Sequence, residues 1–290
     1  MRYEGSVYRP PSEANSLILQ VTIGCAHNLC TFCGMYKGEQ FRIRPVADVI
    51  EDLKWARAHY SYIEKIFLAD GDALVLPNKT LVQILDTIHE LFPECTKVSV
   101  YGSPQDVLRK TPDELSELRE KGIKMIYIGG ESGSDKVLKN IKKGVTSEQL
   151  VEAVRKIEDS GIQASVTFIS GIGGKQDWKE HAIETGKVIS RMSPSYVGLL
   201  TLMLEAGTEL YDDIQSGRFE LLSATEVLEE TRLLLENIHL EKRCVFRSNH
   251  ASNYLSLKGD LPRDKDAMLR QIDMAMENTS MLKDERFRLL

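Results

Sequence analysis

Apolar and polar residues follow a repeating pattern along most of the chain. Short runs rich in β-branched residues alternate with longer segments in which apolar residues recur at helical spacing, as Val49, Leu53 and Ala56 do. The short runs predict strands over residues 17–23, 65–69, 97–101, 124–128, 164–169 and 196–202. The longer segments predict helices over residues 46–60, 79–91, 112–121, 147–159 and 176–192.

This alternation predicts an α/β fold in which parallel strands are joined by right-handed crossovers. Polar and glycine-rich sequences follow the carboxyl ends of the predicted strands: TIGCAHNLC, ADGDALV, YGSPQD, GGESGSD and SGIGGKQ. A doubly wound sheet is compatible with this alternation, but a barrel or an open partial barrel fits better, because loops in that position form the active-site rim of β/α barrels. We therefore predict a partial (β/α)6 TIM-like barrel for residues 1–205 and a C-terminal extension over residues 206–290. The extension is expected to pack on the barrel rather than to form an independent domain.

Composition and charge narrow the possible classes of function. The chain has 290 residues, of which 42% are hydrophobic and 28% charged, so a globular core is feasible. The net charge of -6 and the pI near 5.7 argue against a dedicated nucleic-acid binder. The first residues lack the apolar core of a signal peptide, and no run approaches the roughly 18 apolar residues that span a bilayer. We therefore expect a cytoplasmic protein, not associated with a membrane, whose thiols stay reduced.

Three of the five cysteines, Cys25, Cys30 and Cys33, lie within nine positions in the loop after the first predicted strand. Closely spaced thiolates repel one another unless a positive group lies between them. The spacing is compatible with a disulfide plus one thiol, a zinc ion with His27 as fourth ligand, an iron–sulfur cluster, or chance. Structural zinc sites generally consist of two separated ligand pairs, whereas His27 lies between two cysteines. The spacing therefore favours the iron–sulfur cluster.

The cysteine motif resembles that of the radical S-adenosylmethionine (SAM) superfamily. The segment CAHNLCTFC, residues 25–33, has one residue more between its first two cysteines than the family's usual C-x3-C-x2-C. A second segment, YIGGESGSDKVLKNIKKG at residues 127–144, is similar to the sequence after the fourth strand in one subgroup of that family. The subgroup comprises tRNA methylthiotransferases, elongator-type acetyltransferases and coproporphyrinogen dehydrogenases. With the β/α units, the two motifs extend the resemblance over about residues 15–205.

The resemblance implies two cofactors and a set of residues that hold them. A [4Fe–4S] cluster would be bound by Cys25, Cys30 and Cys33, leaving one iron open for SAM, with Phe32 as an apolar shield. The resemblance assigns the SAM amino group to Asp70, Gly71 and Asp72, the SAM ribose to Glu131 and the SAM carboxylate to Lys143. Ser103 would replace a glutamate that the coproporphyrinogen dehydrogenases have after the third strand. The glycines of residues 170–174 would let the backbone approach the adenine of SAM. The structural alternatives are ordinary tight turns, a helix-start carboxylate and a helix-end lysine.

The resemblance also implies an enzyme. One electron would cleave SAM to a 5′-deoxyadenosyl radical, which abstracts hydrogen from the substrate. We expect a small molecule or a cofactor precursor as the substrate and reduced flavodoxin or ferredoxin as the electron donor. Modification of tRNA or protein by the same chemistry is the second hypothesis. A non-enzymatic module stabilised by zinc is the third.

The C-terminal extension is predicted to contain a helix over residues 225–238, a polar segment, and a charged final helix. The polar segment, CVFRSNHASNYLSLKG at residues 244–259, carries three weak candidates for catalysis: Cys244, Arg247 and His250. Cys244 could return a hydrogen atom or an electron to a substrate radical. Alternatively, the polar groups of this segment satisfy one another in a structural role, and this interpretation is slightly favoured for Cys244.

Overall fold

A computed structural model describes residues 1–288, which fall into two compact units. Unit 1 comprises residues 1–28, 35–128 and 156–164, and unit 2 comprises residues 29–34, 129–155 and those from 165 onward. The boundary expected between residues 205 and 206 stays a prediction.

Unit 1 contains parallel strands with helices between them. Its strands are β1 (Leu17–Gln20), β2 (Thr22–Ile23), β3 (Arg42–Ile43), β4 (Lys65–Ala69), β5 (Lys97–Gly102) and β6 (Ile123–Glu131), of which the end of β6 belongs to unit 2. Its helices are α1 (Val46–His59), α2 (Asn78–Leu91), α3 (Pro104–Arg109) and α4 (Pro112–Glu120). Strand β4 pairs in parallel with β1 and β5, and β5 pairs in parallel with β6. Because Leu68 lies opposite Val100, β4 and β5 end at the same edge of the sheet.

Local sequence signals account for the helices of this unit. Helix α2 buries Leu81, Leu85 and Ile88, which recur at helical spacing and form its apolar face. Helix α4 begins with a capping box, since the Thr111 side chain accepts from the Glu114 backbone N–H and the Glu114 carboxylate accepts from that of Thr111. These helices lie where the pattern of apolar residues predicts them.

Unit 2 continues the alternation of helix and strand and ends in an antiparallel hairpin and a helix. Its elements are α5 (Asp135–Asn140), α6 (Ser147–Asp159), β7 (Gln163–Ser170), α7 (Gly174–Met192), β8 (Tyr196–Thr201), α8 (Glu209–Gln215), α9 (Ala224–Glu236), β9 (Cys244–Ser248), β10 (Leu257–Leu261) and α10 (Lys265–Glu277). The end of α6 and the start of β7 belong to unit 1. Strand β8 pairs in parallel with β7 and β9, whereas β10 is antiparallel to β9. The prediction of an α/β fold with mainly parallel strands is confirmed.

The first predicted strand, residues 17–23, is not continuous in the structure. Strand β1, which pairs with β4, ends at Gln20. The next strand, β2, pairs antiparallel with β3 and not with β4. Val21 lies at the change of partner, because its N–H donates to Ala69 and its carbonyl accepts from Arg44. The prediction of one uninterrupted strand was therefore wrong.

The polar segment at residues 244–259 contains strands that were not predicted from the sequence. Its beginning forms strand β9, in which Cys244, Phe246 and Ser248 are buried and Arg247 is exposed. Its end begins β10, which pairs with β9 from Ser248 opposite Leu257 onward. The segment is thus a β-hairpin that extends the parallel strands of unit 2.

Candidate functional site

The first predicted SAM-binding residue, Asp70, follows β4 directly and is buried. Its Oδ2 atom accepts from Gln20 Nε2 at 2.8 Å and from the Gly24 backbone N–H at 3.3 Å, and its Oδ1 accepts from the Tyr36 hydroxyl at 3.4 Å. Burial raises the pKa of the Asp70 carboxyl, and the hydrogen bonds from Gln20 and Gly24 partly offset that effect. The carboxyl group therefore fastens the end of β4 to residues on both sides of the cysteine loop.

Gly71 allows the cysteine loop to approach this turn closely. A Cβ atom added at Gly71 would lie 2.5 Å from Cε2 of Tyr36 and 3.2 Å from Cβ of Cys25. The first distance is shorter than carbon atoms tolerate, so a side chain here would displace the Tyr36 ring. The structure therefore places Cys25 and the turn after β4 side by side.

Asp72 forms a buried acid pair with Asp106, a residue that the sequence analysis missed. Asp72 is only 2% exposed, and its carboxyl is hydrogen-bonded to that of Asp106. Burial and then the Asp106 carboxyl raise the pKa of Asp72 to about 8, while hydrogen bonds from Ser103 lower it. Among residues 1–288, Oδ1 of Asp72 has no hydrogen-bond partner. This oxygen is suited to accept a hydrogen bond from a charged amino group.

Ser103 has a clear structural role beside this acid pair. Its hydroxyl accepts from the Asp106 backbone N–H at 3.2 Å and donates to the Asp106 carboxylate, so it caps α3. Lys110 is buried nearby, and its Nζ donates to the Leu76 carbonyl at 3.1 Å. Burial lowers the pKa of Lys110, whereas Asp106 and Asp72 raise it. Ser103 thus contacts the proposed amino-group acceptor rather than standing apart from it.

The second half of the cysteine loop, residues 29–34, belongs to unit 2 and is held at several points. The Thr31 N–H donates to the Ile141 carbonyl at 3.0 Å, and the Thr31 carbonyl accepts from the Leu210 N–H at 2.9 Å. The Gly34 N–H donates to the Glu205 carboxylate. Phe32 packs against an apolar cluster that includes Val137, Leu138, Ile141, Ile172, Leu202 and Leu210. The loop therefore keeps Cys30 and Cys33 on a fixed backbone, with their thiols half-buried.

Glu131 and Lys143, predicted to contact different parts of SAM, lie together in unit 2. Lys143 Nζ donates to Oε1 of Glu131 at 2.9 Å, and the two side chains are 14% and 10% exposed. Glu131 has a φ of 62°, in the left-handed region that residues other than glycine seldom adopt. A Cβ added at Gly129 would lie 2.9 Å from Lys143 Nζ and closer still to the Glu131 carboxylate. The carboxyl end of β6 is therefore shaped around this ion pair.

The surroundings of the three C-terminal candidates give little support for a catalytic role. Cys244 is buried at the amino end of β9. Strand β9 runs parallel to β8, with Val245 opposite Tyr196. Cys244 therefore lies at the edge where these strands begin. Exposed Arg247 donates to the Gly259 carbonyl at 3.1 Å. His250 contacts the Ser252 hydroxyl at 3.0 Å, and burial lowers its pKa. These contacts fit the structural interpretation, and catalysis by these residues stays a prediction.

The cysteine loop and the turns beside it suit the two cofactors. All five cysteines are thiols rather than disulfides, and those of the motif are half-buried. Within the described part of the chain, no three His, Cys, Asp or Glu side chains gather around a position for one metal ion. In a cluster, different irons bind the separate thiolates, so the sulfurs need not converge on one point. The Asp72 oxygen that lacks a hydrogen-bond partner among residues 1–288 and the glycine turn at Gly71 fit a bound amino group.

Comparison with known families shows which one the chain belongs to. The model of the radical SAM superfamily matches residues 19–186, more than half of the chain. The chain therefore belongs to the radical SAM superfamily. It is an enzyme whose cofactors are a [4Fe–4S] cluster and SAM, and the hypothesis of a non-enzymatic zinc module is set aside.

Individual relatives agree with the predicted subgroup. The chain is 28% identical to 4′-phospho-dehydrooxetanocin synthase of Priestia megaterium in an alignment of 219 residues that covers 69% of this chain and 29% of the relative. It is 27% identical to tRNA-2-methylthio-N(6)-dimethylallyladenosine synthase of Dehalococcoides mccartyi over 155 residues, 52% of this chain and 36% of the relative. The chain thus spans about a third of the length of these relatives.

A solved structure supports the fold. Coproporphyrinogen III oxidase of Escherichia coli, described as a radical SAM enzyme, matches with a TM-score of 0.58 and 16% identity over 76% of this chain and 52% of that one. The likeness confirms the predicted fold class. Within residues 1–288, no helix combines the length and the apolar character needed to cross a bilayer.

Proposed function

We propose that the chain uses SAM to start a radical reaction on a small molecule or a cofactor precursor. When bound, the cluster and SAM supply the one-electron chemistry, which produces a 5′-deoxyadenosyl radical able to remove hydrogen from the substrate. A reduced flavodoxin or ferredoxin is proposed as the electron donor. The protein's part is to bind, to orient and to exclude water. The single observation that carries this proposal is the buried carboxyl oxygen of Asp72, which lacks a hydrogen-bond partner among the described residues, in the turn next to Cys25.

The cysteine motif would hold the cluster. Cys25 lies against the turn after β4, and the backbone of residues 29–34 is hydrogen-bonded to the residue after α5, to α8 and to the chain after β8. A loop fastened in this way needs little reorganisation when it binds a rigid inorganic group, which favours binding. Phe32 would keep water from one side of the cluster because it packs into the apolar cluster of unit 2.

Asp72 would bind the amino group of SAM. An ammonium group lowers the pKa of a neighbouring carboxyl, so binding would release the proton that the Asp72–Asp106 pair retains near neutral pH. Asp70 would act indirectly, because its carboxyl oxygens hold the residues that flank the cysteine loop. Gly71 would provide the close backbone approach, and Ser103 would orient the acid pair.

Glu131 and Lys143 would bind the ribose and the carboxylate of SAM. A carboxylate can accept hydrogen bonds from two ribose hydroxyl groups, and Lys143 keeps Glu131 oriented while retaining further N–H donors. An ammonium group with three donors can serve Glu131 and a ligand carboxylate at the same time. The ion pair is thus compatible with both roles predicted from the sequence.

Modification of tRNA is the second candidate, because one relative of the chain is a tRNA-2-methylthio-N(6)-dimethylallyladenosine synthase. The net charge of -6 favours the small-molecule alternative, since phosphate backbones are bound by clusters of Lys and Arg.

Anaerobic reconstitution tests the proposal. We expect the protein to bind about four irons, to change its electron paramagnetic resonance spectrum when SAM is added, and to form 5′-deoxyadenosine under reductant. Cys33→Ser should lose all three properties, whereas Cys95→Ser, the matched control outside the motif, should keep them. A Cys33→Ser variant that retains full iron and turnover would contradict the proposal.

The substrate class is tested separately with the active protein. Addition of a low-molecular-weight cell extract should accelerate formation of 5′-deoxyadenosine, and addition of bulk tRNA should not. Acceleration by tRNA alone would decide in favour of the second candidate.

A further inference from the structure

A histidine and a glutamate that none of the proposed cofactor contacts uses are completely buried in unit 2. His181 on α7 and Glu230 on α9 are both 0% exposed. His181 Nε2 lies 4.0 Å from Glu230 Oε1, which is too far for a direct hydrogen bond and suits one bridging water or a small shift. Charged and polar groups are rarely buried without a strong reason, because they lose their hydration.

His181 is attached to the turn that follows Glu131. Its Nδ1 atom lies 2.8 Å from the Ser132 hydroxyl, which in turn accepts from the Ser134 backbone N–H at 3.0 Å. One turn further along α7, Thr185 Oγ1 accepts from the Gly133 backbone N–H at 2.8 Å. Helix α7 therefore fixes the backbone that follows Glu131 through two side chains.

Glu230 is attached to the glycine turn after β7. Its Oε2 atom accepts from the Gly171 backbone N–H at 2.7 Å, and the Ser170 side chain lies close enough to lower its pKa. Gly171 has a φ of 83°, so this turn has a left-handed backbone that the carboxyl group holds in place. Residues 170–174 are those predicted to approach the adenine of SAM.

The remaining polar atoms of this group lack partners in the described residues. They are Ser170 Oγ, His181 Nε2 and Glu230 Oε1. Burial raises the pKa of Glu230 to about 8 and lowers that of His181 to about 4. Near neutral pH the pair therefore contains a neutral imidazole and a carboxyl group that retains a proton. Through one bridging water, or after a small shift that closes the 4.0 Å gap, that proton can satisfy His181 Nε2 when Nδ1 carries the other ring proton toward Ser132.

We propose that His181 and Glu230 are positioning residues that join the turn after β6 to the turn after β7 and so fix the two walls of the SAM adenosine site. This inference rests on the proposed function, because it assigns those turns to SAM. It accounts for the presence of two buried titratable groups where apolar residues would pack without loss of hydration. Neither residue contacts the cofactor; each acts through a backbone N–H or a hydroxyl group of a turn.

The first test uses the protein without its cluster, so that it does not depend on catalysis. Glu230→Ala should speed amide hydrogen exchange in the peptides around residues 168–175 and also, through His181, in those around residues 129–135. Glu230→Gln should preserve most of the protection, since its amide oxygen can still accept from Gly171. The matched control is Glu229→Gln, one position away, half-buried and outside the group. A loss of protection confined to the β7 turn, or no loss in either, would overturn the proposed coupling.

The second test uses the reconstituted enzyme. Glu230→Ala and His181→Ala should raise KM for SAM about 10-fold, the usual effect of removing a residue that orients a ligand-binding group, with iron content unchanged and a smaller change in kcat. Glu230→Gln and His181→Asn, which keeps a donor near the position of Nδ1, should recover much of the affinity. If an alanine variant does not fold, the two conservative variants decide: no change in KM in either would overturn the inference.

The two proposals fail in distinguishable ways. Wild-type protein that forms no 5′-deoxyadenosine contradicts the proposed function. Active wild-type protein whose His181 and Glu230 variants bind SAM normally contradicts the positioning role alone.

Discussion

Asp72 and Glu131 are both buried carboxyl groups, but they contact different kinds of neighbour: a second carboxyl group in one case and a lysine in the other. In unit 1, Asp72 is hydrogen-bonded to a second carboxyl group, that of Asp106, and one of its oxygens lacks a partner in the described residues. In unit 2, Glu131 forms an ion pair with Lys143 at 2.9 Å. The first arrangement retains a proton and offers an acceptor for an incoming cation, whereas the second is an ion pair. Burial alone therefore does not decide how a carboxyl group behaves; its neighbour does.

The difference also separates what each site can contribute. An acid pair that retains a proton gains most when a positive ligand arrives, which is the property required for an amino group. A compensated ion pair is already neutral as a unit, and it is better suited to orient hydroxyl groups and a ligand carboxylate. An acidic side chain can thus either accept an amino group or orient hydroxyl groups, because the residues at the ends of β4 and β6 differ.

Removal of the cation from the compensated pair should have the largest effect on stability. Lys143→Met leaves Glu131 buried without its partner, and breaking such a pair by removing one member lowers the free energy of unfolding by about 3–5 kcal/mol. Chemical denaturation of the cluster-free protein measures the change. The matched control is Lys142→Met, because Lys142 and Glu209 are 54% and 55% exposed and such pairs contribute at most about 1 kcal/mol. Equal effects in the two variants would show that Glu131 is not compensated by Lys143.

The acid pair should instead reveal itself in the pH dependence of stability. The pKa of Asp72 is about 8 in the folded protein and roughly 3.9 in an unfolded chain, so the folded state binds more protons between these values. Stability should therefore fall as pH rises from about 4 to about 8, by on the order of a few kcal/mol from this group. Glu230, with a pKa of about 8, contributes a slope of the same sign.

The Asp72 contribution can be isolated by substitution. Asp72→Asn should remove its part of the pH slope, which is measured as the difference between wild-type and variant unfolding free energies at pH 5, 6, 7 and 8. A difference that does not change with pH would mean that Asp72 is already ionised throughout this range.

Closing the gap between the turn after β4 and the cysteine loop should have an intermediate effect. Gly71→Ala places a methyl group 2.5 Å from the Tyr36 ring, and overpacking of this kind costs about 1–3 kcal/mol. Iron incorporation should also fall, because Cys25 lies on the other side of the same contact. Gly38→Ala is the control, since nothing lies within 4 Å of a Cβ at Gly38. If both variants load iron equally well, the close approach at Gly71 does not matter for the loop.

Sequence reasoning located both acids but did not foresee which side chain each of them contacts. Glu131 and Lys143 were each assigned to SAM, and their pairing could not be foreseen because it depends on the left-handed backbone of Glu131. Asp106 was missed because it lies on α3, a helix of six residues that is too short to produce a periodic pattern. A signal was present nevertheless: Ser103 and Asp106 stand three residues apart, with Pro104 between them, which is typical of a capped helix start.

The alternation of strand and helix, in contrast, could be predicted from the sequence. It depends on local runs such as 65–69 and 147–159, which the structure reproduces as β4 and α6. The antiparallel pairing of β2 with β3 and the hairpin of β9 and β10 were not recovered, because they depend on partners distant in sequence or on a loop without a turn signature.

The smallest expected effect on stability provides the sharpest comparison between the two acids. Below about pH 4 Asp72 holds a proton in both the folded and the unfolded state, so Asp72→Asn replaces one neutral group with another there and should change the free energy of unfolding by less than about 1 kcal/mol. The same substitution removes the carboxylate that binding of an amino group would create. KM for SAM should therefore rise about 10-fold or more, the effect of losing a hydrogen bond to a charged group. Asp106→Asn is the complementary variant, because it keeps the Asp72 carboxyl and removes only its acidic neighbour, so KM should change less. If Asp72→Asn instead destabilises the protein as strongly as Lys143→Met, then Asp72 is ionised in the folded state, and the two acids differ only in their position along the chain.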